Sequence, residues 1–200
     1  MKLLNDQQLL NDILVKELCP TVYSDTIVQP RSVDNALNLR GNYMNVQILD
    51  KHGRVKYVEN FAQDFHNDIT NIGKNTLLDS FFRNQAPPAT WYFGLVDNAS
   101  WTAFAAGDTM SSHAGWIEFT SYSDSTRVAW TTVAAASQAI TNSSVSTFNI
   151  NGSGTLKGIF VTSVSTKSGT TGTLWSTAAF TTTVPVSSGD QLKITYTVNA

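Results

Sequence analysis

The sequence predicts a mainly β protein, a β-sandwich or jelly-roll-like domain carrying an N-terminal helix, an extended arm and one further helix. Three observations carry that expectation. Residues 89–200 hold only nine of the twenty-eight charged side chains but thirty-eight Ser and Thr, and β-branched Thr suits a pleated surface. Short apolar runs recur through that half between turn residues, the pattern of strands joined by tight turns. The first half holds the other nineteen charges and contains two stretches of helical period.

In chain order, Leu3, Leu9, Leu10, Ile13, Leu14 and Leu18 recur at helical spacing, with Asn5 or Asp6 placed to cap and Pro20 to stop the helix. Residues 20–41 mix polar residues with Pro and Asn and show no period, so residues 1–41 read as helix plus extended arm and 42–200 as the β-rich domain. In the latter, Y-M-N-V-Q-I-L-D (43–50) and R-V-K-Y-V-E-N-F (54–61) alternate on either side of Lys51, His52 and Gly53, which predicts a hairpin over 43–61 with His52 exposed in its turn. Ile69, Ile72, Gly73, Thr76, Leu77 and Phe81 mark the inner face of a helix over 68–83. Asn67 is its expected cap, and Ala86-Pro87-Pro88 ends the segment. The sandwich occupies 89–200. Its strand candidates are Trp91 to Val96, Trp116 to Tyr122, Arg127 to Val133, Val145 to Ile150, Thr155 to Val164, Trp175 to Thr182 and Gln191 to Val198.

Composition narrows the function classes. Two hundred residues at 42% hydrophobic content suffice for one substantial core. A formal charge of −2 offers no basic field for nucleic acid or anionic lipid. Cys19 is the single cysteine, and the histidines at 52, 66 and 113 show no metal-ligand spacing, so neither disulfide, zinc site nor other cofactor is expected. Polar residues interrupt the N-terminal M-K-L-L-N-D-Q-Q-L-L before a signal-peptide core can form, and no membrane span is expected.

The stretch T-M-S-S-H-A-G-W-I-E-F (109–119) raises the question of catalysis. Ser111 or Ser112, His113 and Asp108 are the residue types of a nucleophilic triad, but the G-x-S-x-G elbow that would present the serine is absent. The carboxylates Asp97, Asp108, Glu118, Asp124 and Asp190 offer no pair that spacing can place across a cleft. We therefore assign no catalytic, cofactor-binding or metal-ligating residue and expect no enzyme. Of the tryptophans at 91, 101, 116, 130 and 175, most are expected in the core, with Trp101 the exposed exception available to a sugar.

Several blocks carry a resemblance. They are N-D-I-T-N-I-G-K-N-T-L-L-D (67–79), W-Y-F-G-L-V-D (91–97), D-T-M-S-S-H-A-G-W-I-E-F (108–119) with Y-S-D-S-T-R (122–127), T-K-S-G-T-T-G-T-L (166–174) and S-G-D-Q-L-K-I-T-Y (188–196). From about Asn42 onward the chain resembles a family of small virion proteins of tailed bacteriophages. The resemblance implies a structural protein assembled in the host cytoplasm. The leading expectation is a capsid decoration or cement protein that stabilises the head, with the major capsid protein or other virion proteins as partners and a homo-oligomer, favoured as a trimer, as its state. Alternatives are a neck, tail or fibre adaptor protein, a carbohydrate-binding receptor-recognition module, and a hydrolase built on His113.

Overall fold

The computed structural model describes residues 39–59 and 68–200. The expected N-terminal helix and all but the last residues of the arm lie outside these, as do Cys19, His66 and Asn67. In the first part of the described chain, β1 is Arg40–Leu49, β2 Val55–Glu59, β3 Asp68–Ile69, α1 Asn71–Phe82 and β4 Trp91–Asp97. Short strands follow: β5 Ile117–Phe119, β6 Val128–Trp130, β7 Ala139–Thr141 and β8 Ser146–Asn149. Three long ones close the chain, β9 Gly154–Thr162, β10 Leu174–Val186 and β11 Gln191–Asn199.

The fold is mainly β, with two antiparallel sheets and, among the described residues, one helix. The first sheet runs β2-β1-β11-β7, with β8 also on β11; the second runs β3-β10-β9-β4-β5, with β6 also on β4. Strand β11 is the spine of the first sheet. Its Q-L-K-I-T-Y-T-V-N buries every second residue, Leu192, Ile194, Tyr196 and Val198, as a strand with one face on a core must. It pairs with β1 from Arg40↔Asn199 to Leu49↔Gln191, so Arg40 and Gly41, read from sequence as arm, open a strand.

One core cluster takes side chains from both sheets, including Val46, Ile48, Phe148 and Ile194 from the first and Phe93, Leu95, Ile159 and Phe180 from the second. Tyr196 of β11 sets its ring edge-on to Phe93 and Trp130 of the opposite sheet, and its hydroxyl accepts from Trp175 Nε1 at 3.3 Å. At one margin Glu59 of β2 is buried and accepts from the Thr181 amide (3.0 Å) and hydroxyl (2.8 Å) of β10.

The second sheet is covered on both faces. Phe93 and Leu95 of β4 face the shared core, while Val96 and Phe160 face outward into a smaller cluster with Met110, Trp116 and Leu174. This double burial is why W-Y-F-G-L-V and G-I-F-V read as unbroken apolar runs. Gly94 permits it, because a Cβ there would lie 2.1 Å from the Phe160 ring.

Two local expectations are corrected. The helix begins at Asn71 under a Thr70 cap, whose hydroxyl accepts from the Gly73 amide at 3.0 Å, whereas the sequence pointed to 68–83 with Asn67 as cap. Asp68 and Ile69 instead pair with Thr177 and Ser176 as an edge strand, which satisfies their backbone in the sheet before the helix starts. Phe81, expected on the inner helix face, is 79% exposed. The hairpin turn forms around Gly53 at φ +77. Asp50 accepts there from the His52 and Arg54 amides, both at 2.9 Å, and its side-chain bond to Arg54 helps lower its pKa to about 2.

Candidate functional site

The chain from 98 to 116 crosses the outer face of the second sheet and brings the S-S-H-A-G-W block to it. Trp116 is the anchor. It is buried, tilted against Phe160 with ring centroids 5.0 Å apart, and its indole Nε1 donates to Asp108 Oδ2 at 2.9 Å. Asp108 Oδ2 also accepts from the Ala105 amide at 3.0 Å. His113 stacks on the Trp116 ring, centroids 3.9 Å apart, with Nδ1 3.0 Å from the Trp116 carbonyl. A carbonyl can only accept, so in the neutral ring the proton sits on Nδ1 and Nε2 is left as an acceptor. Ser111 Oγ lies 3.1 Å from Thr109 Oγ1, and the Ser112 amide donates to that same oxygen at 3.0 Å. The triad the sequence raised is therefore not assembled: the aspartate orients an indole and the serines organise a turn.

Beneath this loop lies a buried ion pair that sequence reasoning missed. Arg127 donates from Nε to Glu118 Oε1 at 2.9 Å and from Nη2 to Oε2 at 2.8 Å, a two-pronged bond. Its remaining donors reach the carbonyls of Val164 (2.9 Å) and Gly169 (3.3 Å), and Glu118 also accepts from the Ser168 amide at 2.6 Å. Lys167 donates to the Tyr122 carbonyl at 2.7 Å and the Thr120 carbonyl at 3.2 Å while sitting over the Tyr122 ring. Burial pushes the Lys167 pKa down and the Tyr122 pKa up. Blocks 108–119, 122–127 and 166–174 thus meet in one place, around a pocket of about 240 Å³ lined by Met110, His113, Ile117, Ser168 and Thr170 above the ion pair. One signal was available in the sequence: Arg127 is the only arginine after Arg83.

Of the other carboxylates, Asp124 lies close enough to this cluster to act on Lys167 and Tyr122 together with Glu118, while Asp97 and Asp190 find their partners elsewhere. Asp97 accepts from the Ala99 amide at 2.8 Å, and Asp190 pairs with Lys56 at 2.7 Å. Trp116, Trp130 and Trp175 are buried, and Trp91 packs against the main core. Trp101, expected to be exposed, is half-buried in the outer cluster, edge-on to Phe104 with centroids 4.6 Å apart. A larger groove of about 560 Å³ lies between α1, the 87–90 segment and the ends of both sheets, lined by Leu77, Pro88, Trp91, Trp130, Ile140 and Trp175.

Against known families, a match covers residues 68–198, to the family described as podophage GP4 fiber I protein gp80. The chain belongs to this family of tailed-phage virion structural proteins. No curated protein matches it. The gp80 span takes in α1, every strand of the second sheet, the outer-face loop, the ion pair, the smaller pocket and the lining of the larger groove apart from Leu39, and leaves β1 and β2 before it. A family of fibre proteins favours the neck, tail or fibre alternative over head decoration, which the match does not support. Low charge and abundant Ser and Thr suit any exposed virion surface and carry no information on position. No described helix is long and apolar enough to cross a membrane.

Proposed function

We propose that the protein is a structural subunit of a podophage tail fibre, with its two sheets packed as a β-sandwich, other tail and fibre subunits as its partners and no catalytic role. The observation that carries this reading is the gp80 family match, which runs through both sheets. The commitment of Asp108 to Trp116 and of Ser111 to Thr109 supports a purely structural role for the S-S-H-A-G-W block. The formal charge of −2 supports protein surfaces, not nucleic acid, as partners.

Gold-labelled antibody on purified virions, combined with quantitative mass spectrometry of the particle, tests the placement. Label at the tail with a low copy number is expected; label over the head with copies in the hundreds overturns it. The non-catalytic part has its own test. Turnover of an ester or glycan by the wild type, abolished by His113→Ala without a change in thermal unfolding, would refute it.

A further inference from the structure

The groove between α1 and the sheet ends has no part in the structural role above. We infer that it receives the apolar stripe of residues 3–18 from a neighbouring copy of the chain, so that subunits are linked by exchanged N-terminal arms. Among the described residues the lining carries no charged side chain, and Leu77, Pro88, Ile140 and Val198 make it mainly apolar. The apolar surface continues beyond the groove along α1. Phe81 stands one turn past Leu77 on the same side of the helix, and it is 79% exposed, with its ring edge-on to Phe82 at 5.0 Å. Contiguous exposed apolar surface of this kind marks an interaction site.

Two facts name the occupant. Leu39, the first described residue, itself lines the groove, so residues 1–38 join the described chain at the groove's own wall. Those residues carry Leu10, Ile13, Leu14 and Leu18 at helical spacing, the pattern of anchors by which an amphipathic helix fills an apolar groove. Length then selects the neighbour's stripe over the chain's own. Residues 20–38 are aperiodic and begin with Pro20, and a stretch of that length spans about 65 Å when extended. Folding back onto a groove that starts at Leu39 needs only a connection of roughly 2–8 residues. The spare length reaches a second copy. A tethered segment also binds at a high effective concentration, so a hold that is weak between free chains becomes firm between subunits already side by side. The inference does not depend on where in the virion the protein sits.

The test places a photo-crosslinking benzophenone side chain at Leu14 of the full chain, irradiates it at micromolar concentration and separates the products on a denaturing gel. A product of twice the chain mass is expected, with its attachment mapped by peptide mass spectrometry to the groove residues at 76–80, 87–90 or 131–132. Ala89→Arg and Thr132→Arg, at exposed positions of the lining, set a charge where it finds no partner and should lower that yield by about tenfold. Thr170→Arg, at the other pocket, should leave it unchanged, and thermal unfolding checks that each variant is folded. Hydrogen exchange without the crosslinker gives a second reading: the amides of residues 9–18 should exchange faster in Thr132→Arg than in the wild type. Attachment within the groove in a product of single-chain mass gives the groove to the chain's own segment and overturns the exchange. Attachment elsewhere, no protein product, a yield indifferent to both groove variants, or unchanged exchange in Thr132→Arg overturns the docking.

Discussion

Arg127 and Glu118 hold the outer face of the second sheet together, and both side chains are almost wholly withdrawn from solvent, at 0% and 5% exposure. Removing one member of such a pair leaves an uncompensated buried charge. Arg127→Met should therefore cost about 3–5 kcal/mol, while adding Glu118→Leu to it should restore much of the loss. Denaturant unfolding of the single and double variants measures both; a double variant as unstable as the single would mean that Arg127 acts through its bonds to Val164 and Gly169 instead. Asp50 is the opposite case, an exposed group tuned by its turn. Its pKa falls from 3.8 to about 2, chiefly through the side-chain bond to Arg54. Because the folded value is the lower, its stabilisation of the hairpin is complete above the unfolded pKa and is lost as pH falls through the folded one. An NMR titration of the Asp50 carboxyl should find its midpoint near the folded value, and a midpoint near 4 would show that the Arg54 clasp does not persist in solution.

Helix α1 shows how an element is set by its end and not only by its period. Thr70 is fully buried and faces both ways, accepting from the Gly73 amide and donating to the Leu174 carbonyl of β10. Thr70→Ala should cost about 1–2 kcal/mol, more than an exposed cap, and thermal unfolding beside Asn75→Ala, an exposed helix position, gives the comparison. The sequence led to Asn67 because the apolar period begins at Ile69, yet Ile69 belongs to the sheet; a two-residue strand leaves no periodic trace. Where an element's own alternation decides its place, the sequence was sufficient: Q-L-K-I-T-Y-T-V became β11, and the hairpin arms became β1 and β2. Strand β7 was invisible because its three residues are positioned by β11 through Thr197↔Thr141 and Val198↔Ile140, not by any pattern of their own. The outer-face site was half legible. The S-H-A-G-W block stood out, and the triad it raised was set aside for want of a nucleophile elbow, but no local pattern tied the block to its spatial partners. The true partners of Glu118, Arg127 and Ser168, come from nine and fifty residues away.

At the scale of the whole molecule, the question is what covers the edge of the first sheet. Among the described strands β2 pairs with β1 alone, and it presents Val55 and Val58 at 60% and 41% exposure. Natural edges are commonly guarded by free charges, Lys above all. Here Lys56 is bound to Asp190 and Arg54 to Asp50, both at 2.7 Å, so neither basic side chain is spare. An apolar edge without a guard is a pairing surface, and subunits arranged around one axis, as in a fibre, call for closed cyclic symmetry. We therefore expect a homo-oligomer joined along β2, with a trimer as the expected form. Light scattering at micromolar concentration should give three times the chain mass for the wild type, and Val55→Lys with Val58→Lys should reduce it to the monomer without altering thermal unfolding, since both side chains face solvent in the single chain. A dimer would preserve the edge and overturn the symmetry. A wild type that remains monomeric, or an oligomer indifferent to both lysines, would remove β2 from the interface.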